Sequence, residues 1–166
     1  MTLNKIISGG QTGVDIAALR AARIVGLETG GAMPFGFKTI QGVRPEYVSL
    51  YGMTQTVSRG YTERTQKNIR ESDGTIIITQ SNSPGTMLAV RSALAMNKPF
   101  ALFKIGPSAA HATLEESVQG HTSAAIQFVS PRSVVNIAGN RDESLESIIG
   151  DWLVCVFREV LRRQSH

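Results

Sequence analysis

The segment Ile6–Asp15, IISGGQTGVD, constrains the fold of this chain more than any other. Its two isoleucines predict a buried strand, its glycines predict a tight turn, and an apolar helical pattern begins at Val14. A turn between a parallel strand and a helix lies at the carboxyl edge of the sheet, where ligands of open α/β sheets bind. Because glycine lets a ligand approach the free amides of the first helical turn, we predict one wall of a phosphate or similar anion site here.

The same segment also has a purely structural interpretation. Thr12 and Asp15 have the spacing of a capping box, which would account for both residues without a ligand. The turn lacks both the G-x-G-x-x-G dinucleotide fingerprint and the Gly-Lys-Ser/Thr of a P-loop. Asp15 would repel an adjacent phosphate, so we expect it to accept hydrogen bonds from a sugar or heterocycle. If Gly10 meets the anion, Gly10→Val should abolish binding and spare the fold; loss of folding would show that this glycine serves the turn.

Composition limits the class of protein. With 166 residues, 42% of them hydrophobic and 18% charged, the chain should form one globular domain over residues 1–166. The single cysteine, Cys155, excludes an intramolecular disulfide, and we expect it to be a packed thiol. The sequence shows neither a membrane span nor a signal-peptide pattern, which predicts a cytoplasmic protein. A net charge of +4 with scattered basic residues suits a small anionic ligand and does not favour nucleic acid.

Alternating strand and helix patterns predict an α/β protein with a mostly parallel central sheet. Strands are predicted at Ile6–Ile7, Glu28–Gly31, Thr75–Thr79, Phe100–Lys104 and Val134–Ala138, and helices at Val14–Leu27, Thr62–Ser72, Thr86–Met96, Ala124–Val129 and Leu145–Arg163, with another beginning after Thr113. The segment Ala32–Gly60 shows no clear period, and within it Tyr47–Tyr51 suggests a short edge strand.

Two further turns follow predicted strands, at Pro84–Thr86 and Gly139–Arg141. The Gly85 turn and the first glycine turn are predicted to face one crevice, because parallel strands end at the same sheet edge. The helix Thr62–Ser72 is strongly polar and carries Arg64, Thr65 and Asn68. Such a helix is either a solvent-facing cover or presents its polar face to a ligand or another subunit.

Several blocks occur together and in order: ISGGQTGVD at Ile7–Asp15, GGAMPFG at Gly30–Gly36, Arg64-Thr65 with Asn68, SDGT at Ser72–Thr75, Gly85-Thr86, Lys98-Pro99 and NIAGNRDES at Asn136–Ser144. With these blocks, nearly the whole chain resembles the putative molybdenum carrier family. That family belongs to the Rossmann-like superfamily that includes LOG-type phosphoribohydrolases and DNA-processing protein A. The resemblance implies a Rossmann-like three-layer fold.

The resemblance also implies a function: a carrier, as a homo-oligomer, for the molybdenum cofactor, which is a phosphorylated pterin. The ligand contacts that the resemblance implies are Gly9, Gly10, Gln11, Thr12, Gly13, Arg64, Thr65, Asn68, Gly85, Thr86 and Arg141. Asp15 is added to these binding residues by the argument given above. The chain departs from the family pattern at Ile16, where an arginine is usual, and at Met33–Phe37, where a Cys-Pro-Lys-Gly-Arg-like stretch is common. Another phosphorylated ligand therefore stays open.

Two other functions stay open as well. LOG-type enzymes carry Gly-Thr-x-x-Glu, whereas Ala89 stands at the glutamate position here, which argues against that activity. A nucleotide-processing enzyme that uses another arrangement is one alternative, and an interaction module without a ligand is the other. The three histidines lack metal-ligand spacing, so we assign neither a catalytic residue nor a protein-bound metal.

Overall fold

The computed structural model describes residues 1–166. Its strands are β1 (Lys5–Ser8), β2 (Glu28–Met33), β3 (Lys38–Thr39), β4 (Gly42–Val43), β5 (Met53–Gln55), β6 (Gly74–Thr79), β7 (Phe100–Lys104) and β8 (Val134–Gly139). Its α-helices are α1 (Val14–Ile24), α2 (Tyr47–Tyr51), α3 (Tyr61–Glu71), α4 (Pro84–Ala95), α5 (Leu114–Gly120), α6 (Thr122–Val129) and α7 (Glu146–Gln164), and a 3-10 turn at Glu143–Leu145 precedes α7.

Six strands form one sheet in the order β5-β2-β1-β8-β6-β7, and every neighbouring pair is parallel. β3 and β4 form a separate antiparallel hairpin. Every residue of β6 is buried, as expected for a central strand covered on both faces. The predicted α/β class and parallel sheet are confirmed.

The two faces of the sheet are covered unequally. Ile6, Ile76 and Ile137 point into a large core that they share with α1, α5, α6 and α7. On the opposite face, Ile77 meets only a small cluster supplied by α3 and α4. The polar helix α3 contributes a single buried apolar side chain, Ile69. The thin α3–α4 side therefore has room for a cavity at the carboxyl edge of the sheet.

Local signals at several element ends are confirmed. Gly26 and Asn97 adopt left-handed backbone conformations, with φ of 80° and 51°, just beyond α1 and α4. The Thr113 hydroxyl and the Glu116 side chain form the expected capping box of α5. No helix has the length and apolar character needed to cross a membrane.

The predicted edge strand at Tyr47–Tyr51 is wrong, because these residues form α2, which ends where Gly52 turns left-handed at φ 68°. The segment Ala32–Gly60 is ordered as the end of β2, the β3–β4 hairpin, α2 and β5. β5 pairs with β2, from Gly31 opposite Met53 to Met33 opposite Gln55. The short strands lie within a stretch without periodicity, which is why the sequence pattern did not reveal them.

The packed thiol expected at Cys155 is wrong, and so is the inward-facing Leu94 that the helical spacing of Thr86–Met96 predicts. Cys155 is exposed, because it lies on the outer face of α7 with Asp151 and Arg158, which are exposed as well. Leu94 is 64% exposed, because the sheet-facing positions of α4 are taken by small residues such as Ala89 and Ala93.

Candidate functional site

A cavity of about 380 Å³ lies between α3 and α4 at the carboxyl ends of β6 and β8. Its lining consists of Asp15, Tyr61, Arg64, Thr65, Ile77, Ser83, Pro84, Gly85, Thr86, Leu88, Ala89, Ala138, Gly139, Asn140 and Arg141. The volume is within the range of small-molecule sites. Six of the residues predicted from the sequence line it, namely Asp15, Arg64, Thr65, Gly85, Thr86 and Arg141.

The N-terminus of α4 forms one wall of this cavity. Ser83 is the N-cap, and its hydroxyl accepts a hydrogen bond from the Thr86 amide at 3.1 Å. A Cβ added at Gly85 would meet only the Ser83 hydroxyl, at 3.8 Å, so the backbone here is open to the cavity. The positive end of the α4 dipole is therefore available to an anion.

Two guanidinium groups share the ring of Tyr61 on the opposite wall. The Arg141 Cζ lies 3.9 Å from the ring centroid, and the Arg64 Cζ lies 5.6 Å from it. Tyr61 and Arg64 are three residues apart on α3 and therefore lie on the same face. Both distances are within the range of cation–π contacts, which hold the two cations at the cavity wall.

Asp15 and Arg64 form a buried ion pair. The Arg64 Nη1 lies 3.4 Å from the Asp15 Oδ2, and the two residues are 8% and 3% exposed, respectively. Burial raises the pKa of the Asp15 carboxyl, although the charge of Arg64 and the Gln11 amide oppose this shift. Burial likewise lowers the pKa of Arg64, against the charge of Asp15. The Arg64 Nε has no hydrogen-bond partner, so this guanidinium retains an unused buried donor.

The N-terminus of α1 differs, because acceptors of the protein itself occupy its amides. The Gly13 amide donates to the Glu146 Oε1 at 3.1 Å, and the Val14 amide donates to the Asn140 carbonyl at 3.0 Å. The capping box at Thr12 and Asp15 is not formed, because Gly13 is the N-cap. Thr12 instead donates its hydroxyl to the Arg141 carbonyl at 3.0 Å, and so ties the first turn to the third.

Side chains and backbone also fill the space over the glycines of the first turn. An added Cβ would lie 2.6 Å from the Arg64 Cζ at Gly9, 2.8 Å from the Met33 Sδ at Gly10, and 2.8 Å from the Asp142 amide nitrogen at Gly13. Gly10 and Gly13 also have positive φ, at 67° and 82°, which favours glycine. These three residues lie behind the cavity wall.

The remaining predicted residues also bond to the protein itself. Gln11 donates its side-chain amide to the Lys38 carbonyl at 3.0 Å and so holds the β3–β4 hairpin. Asn68 clamps α3 to β2 through two hydrogen bonds with the backbone of Ala32, at 2.7 and 3.1 Å. Direct contact of Gly9, Gly10, Gln11, Thr12, Gly13 and Asn68 with a ligand stays a prediction.

Sequence reasoning assigned no site role to Tyr61, Ser83 or Asn140, although all three line the cavity. Tyr61 precedes Arg64 by one helical turn, and Ser83 precedes Pro84 as an N-cap should, so both carried a usable signal. Ala89 also lines the cavity, so the wall is a methyl group where LOG-type enzymes carry a glutamate. No group of three or more His, Cys, Asp or Glu side chains could hold a metal ion.

The parallel sheet and the cavity at its carboxyl edge define a Rossmann-like α/β protein with a candidate small-molecule site. The chain matches the family described as "Circularly permutated YpsA SLOG family" over residues 6–159, and it belongs to that family. Among solved structures, it is similar to the "Putative molybdenum carrier protein" from Syntrophus aciditrophicus SB. The two chains are 30% identical with a TM-score of 0.73, over 96% of this chain and 95% of the other. The resemblance found in the sequence is confirmed. No curated protein matches.

Proposed function

We propose that this protein is a carrier that binds the molybdenum cofactor, or a similar phosphorylated nucleotide-like anion, in the cavity between α3 and α4. The observation that carries the proposal is the convergence of Arg64, Arg141 and the N-terminus of α4 on one small cavity. The name of the similar solved protein supports the carrier assignment. In this proposal the phosphate lies near Arg141 and the Gly85 amide, because the Thr86 amide is already bound by the Ser83 hydroxyl.

The rest of the cavity suits the ring of such a ligand. Ile77, Leu88 and Ala138 supply apolar surface, and Tyr61 supplies an aromatic edge. Asp15 is the only carboxylate in the lining, and it can accept a hydrogen bond from a ring N–H or a hydroxyl. A phosphorylated heterocycle would therefore find cations for its phosphate, apolar surface for its ring and, beside Arg64, one carboxylate acceptor.

Molybdenum itself would arrive as cargo on the cofactor. The cavity lining contains no cysteine, methionine or histidine, and soft sulfur ligands are those that thiophilic metals prefer. In the proposal the chain recognises the phosphate and the ring, while the sulfur atoms of the cofactor hold the metal. The proposal also includes a homo-oligomer, which the family resemblance implies, and a cytoplasmic location, which the sequence pattern predicts.

Native mass spectrometry tests this proposal on protein purified from a host that makes the cofactor. We expect a retained mass equal to a molybdenum pterin or another phosphorylated compound, and the same spectrum gives the subunit number. Arg141→Ala should lose that mass, whereas Arg158→Ala should keep it, because Arg158 is an exposed cation on α7. Equal retention by both variants, or protein without ligand in every host, would count against the carrier.

A nucleotide-processing enzyme is the second candidate, and the observation that favours it is the buried carboxyl of Asp15 in the cavity lining. Burial holds the pKa of Asp15 above its ordinary value, which is a property of many acid–base groups in active sites. Release of base from nucleoside monophosphates, lost in Asp15→Asn, would support this candidate. Wild-type protein that binds such compounds without turnover would instead support the carrier.

A further inference from the structure

We infer that Gly9 is a positioning residue for the anion site, because its missing side chain leaves the slot that holds the Arg64 guanidinium against Asp15. This inference deepens the proposed function and rests on it for the effect on ligand binding. The position of Arg64 itself can be measured without a ligand, so the two ideas can fail separately.

The backbone gives no reason for glycine at this position. Gly10 and Gly13 have φ of 67° and 82°, whereas Gly9 is not among the residues with positive φ. Its φ therefore lies outside the left-handed region that favours glycine. The requirement for glycine must therefore come from the space around it.

That space is filled by the ion pair of the site. A Cβ at Gly9 would lie 2.6 Å from the Arg64 Cζ and 2.7 Å from the Asp15 Oδ2, both far inside van der Waals contact. The Arg64 Nη1, which bonds to Asp15, would be closer still. All three atoms belong to the ends of side chains rather than to the backbone. An alanine at Gly9 would therefore displace the guanidinium and leave the fold in place.

Displacement of Arg64 has a chemical consequence for the cavity. The Arg64 guanidinium pairs with Asp15, lies near the ring of Tyr61 and occupies the space beside Gly9. Its Nε has no hydrogen-bond partner. A Cβ at Gly9 would occupy the space of the Arg64 Nη1 and push the guanidinium away from Asp15. The glycine of the first turn would act on a ligand through Arg64, without touching that ligand.

The test compares Gly9→Ala, Arg64→Ala and the double variant with Gly150→Ala as the matched control. A Cβ at Gly150 would lie 4.0 Å from the nearest atom, on the Ala17 side chain, which is ordinary contact. The readout without ligand is carbon-13 NMR titration of the Asp15 carboxyl, since the Arg64 charge lowers its pKa. The binding probe is adenosine 5′-monophosphate, followed by calorimetry.

We expect Gly9→Ala to raise the Asp15 pKa in the direction of Arg64→Ala, with an unchanged circular dichroism spectrum. Its probe affinity should fall about tenfold, as for loss of a charged hydrogen-bond donor, and the double variant should bind no more weakly than Arg64→Ala. An unchanged Asp15 titration in Gly9→Ala would overturn the inference, whatever the probe does. A wild type that does not bind the probe would instead weaken the proposed function, and the titration would still decide the role of Gly9.

Folding of the variants gives a second criterion. If Gly9→Ala fails to fold and the double variant folds, Arg64 is the group that needs the slot, and the inference is supported. If both fail to fold, Asp15 or the turn, and not Arg64, excludes a side chain at this position, and the inference is overturned.

Discussion

The N-termini of α1 and α4 both follow a parallel strand and a glycine-containing turn, yet they are used differently. At α1, the amides of Gly13 and Val14 are bound by Glu146 and Asn140, and side chains fill the space over the glycines. At α4, the Ser83 hydroxyl binds the Thr86 amide, whereas the Gly85 amide has no acceptor from the protein and Gly85 faces the cavity. A helix N-terminus can bind an anion only where the protein has not already supplied its acceptors.

The comparison shows the role of the turn before α1, which contains Gly9, Gly10 and Gly13. It lets three parts of the chain approach closely: Arg64 at Gly9, Met33 at Gly10, and the turn after β8 at Gly13. Two of these contacts involve arginines of the cavity. Arg64 lies over Gly9, and the turn that carries Arg141 lies over Gly13. The hydroxyl of Thr12 also binds the Arg141 carbonyl and so helps to fix that turn. In the proposed site, the first turn would build the cation pair and the second turn would meet the ligand.

The largest expected difference between the two turns is in stability. Gly13→Ala should lower the free energy of unfolding by about 4 kcal/mol, because a left-handed alanine is strained and its Cβ meets the backbone of Asp142. Gly10→Val should also impair folding, because Gly10 has a positive φ and because its new side chain would meet the Met33 side chain. Gly85→Ala should change stability by no more than about 0.5 kcal/mol. Urea unfolding measures all three, and equal losses at Gly13 and Gly85 would contradict the comparison.

The next largest effect concerns the buried ion pair between Asp15 on α1 and Arg64 on α3. Arg64→Ala should cost about 3 kcal/mol at pH 8, because it leaves the buried Asp15 carboxylate without its cation. The folded pKa of Asp15 is raised, so the folded state binds more protons, and stability falls as pH rises from the unfolded pKa to the folded one. Because the Arg64 charge lowers the Asp15 pKa, the pH range over which stability falls should extend to higher pH in Arg64→Ala.

Thermal unfolding between pH 4 and pH 8 measures that dependence. Asp15→Asn should remove this contribution in both the wild-type and the Arg64→Ala backgrounds. A pH profile of Arg64→Ala that runs parallel to the wild type would show that the pair is not coupled.

A smaller effect is expected on ligand affinity at the open turn. Gly85→Ala should weaken the binding of adenosine 5′-monophosphate about tenfold, because the methyl group would cover the Gly85 amide, which faces the anion in the proposed site. Leu94→Ala provides a control on the outer face of the same helix, since Leu94 is 64% exposed. Calorimetry at fixed salt measures both, and equal affinities for the two variants would place the ligand elsewhere.

The smallest effect on stability is expected at Glu146, which binds the turn before α1. Glu146→Gln removes a carboxylate that bonds to the Gly13 amide and pairs with Arg20 at 2.7 Å, where the Arg20 side chain is 53% exposed. Exposed pairs contribute little, so stability should fall by about 0.5 kcal/mol. The control Asp151→Asn removes a carboxylate on the outer, exposed face of α7 and should have no effect. A loss above about 2 kcal/mol would show that an amide–carboxylate bond dominates this turn.

The sequence predicted the fold where its signals are local. The isoleucines of β6, the caps at Asn97 and Thr113, and the apolar stripe of α7 each depend on a few neighbouring residues. β5 was missed because its three residues become a strand only by pairing with β2. Likewise, the glycine motif revealed a need for close approach but not the approaching group. That group at Gly9 is Arg64, more than fifty positions along the chain.

The uneven covering of the sheet also sets where the protein loosens first. α3 buries only Arg64, Asn68 and Ile69, so little apolar surface opposes its local unfolding, whereas α7 is anchored by seven buried side chains. Amide hydrogens of α3 should exchange with solvent well before those of α7. A ligand that bridges α3 and α4 would slow that exchange according to its occupancy, so the protection of α3 would report the fraction of molecules with a filled cavity.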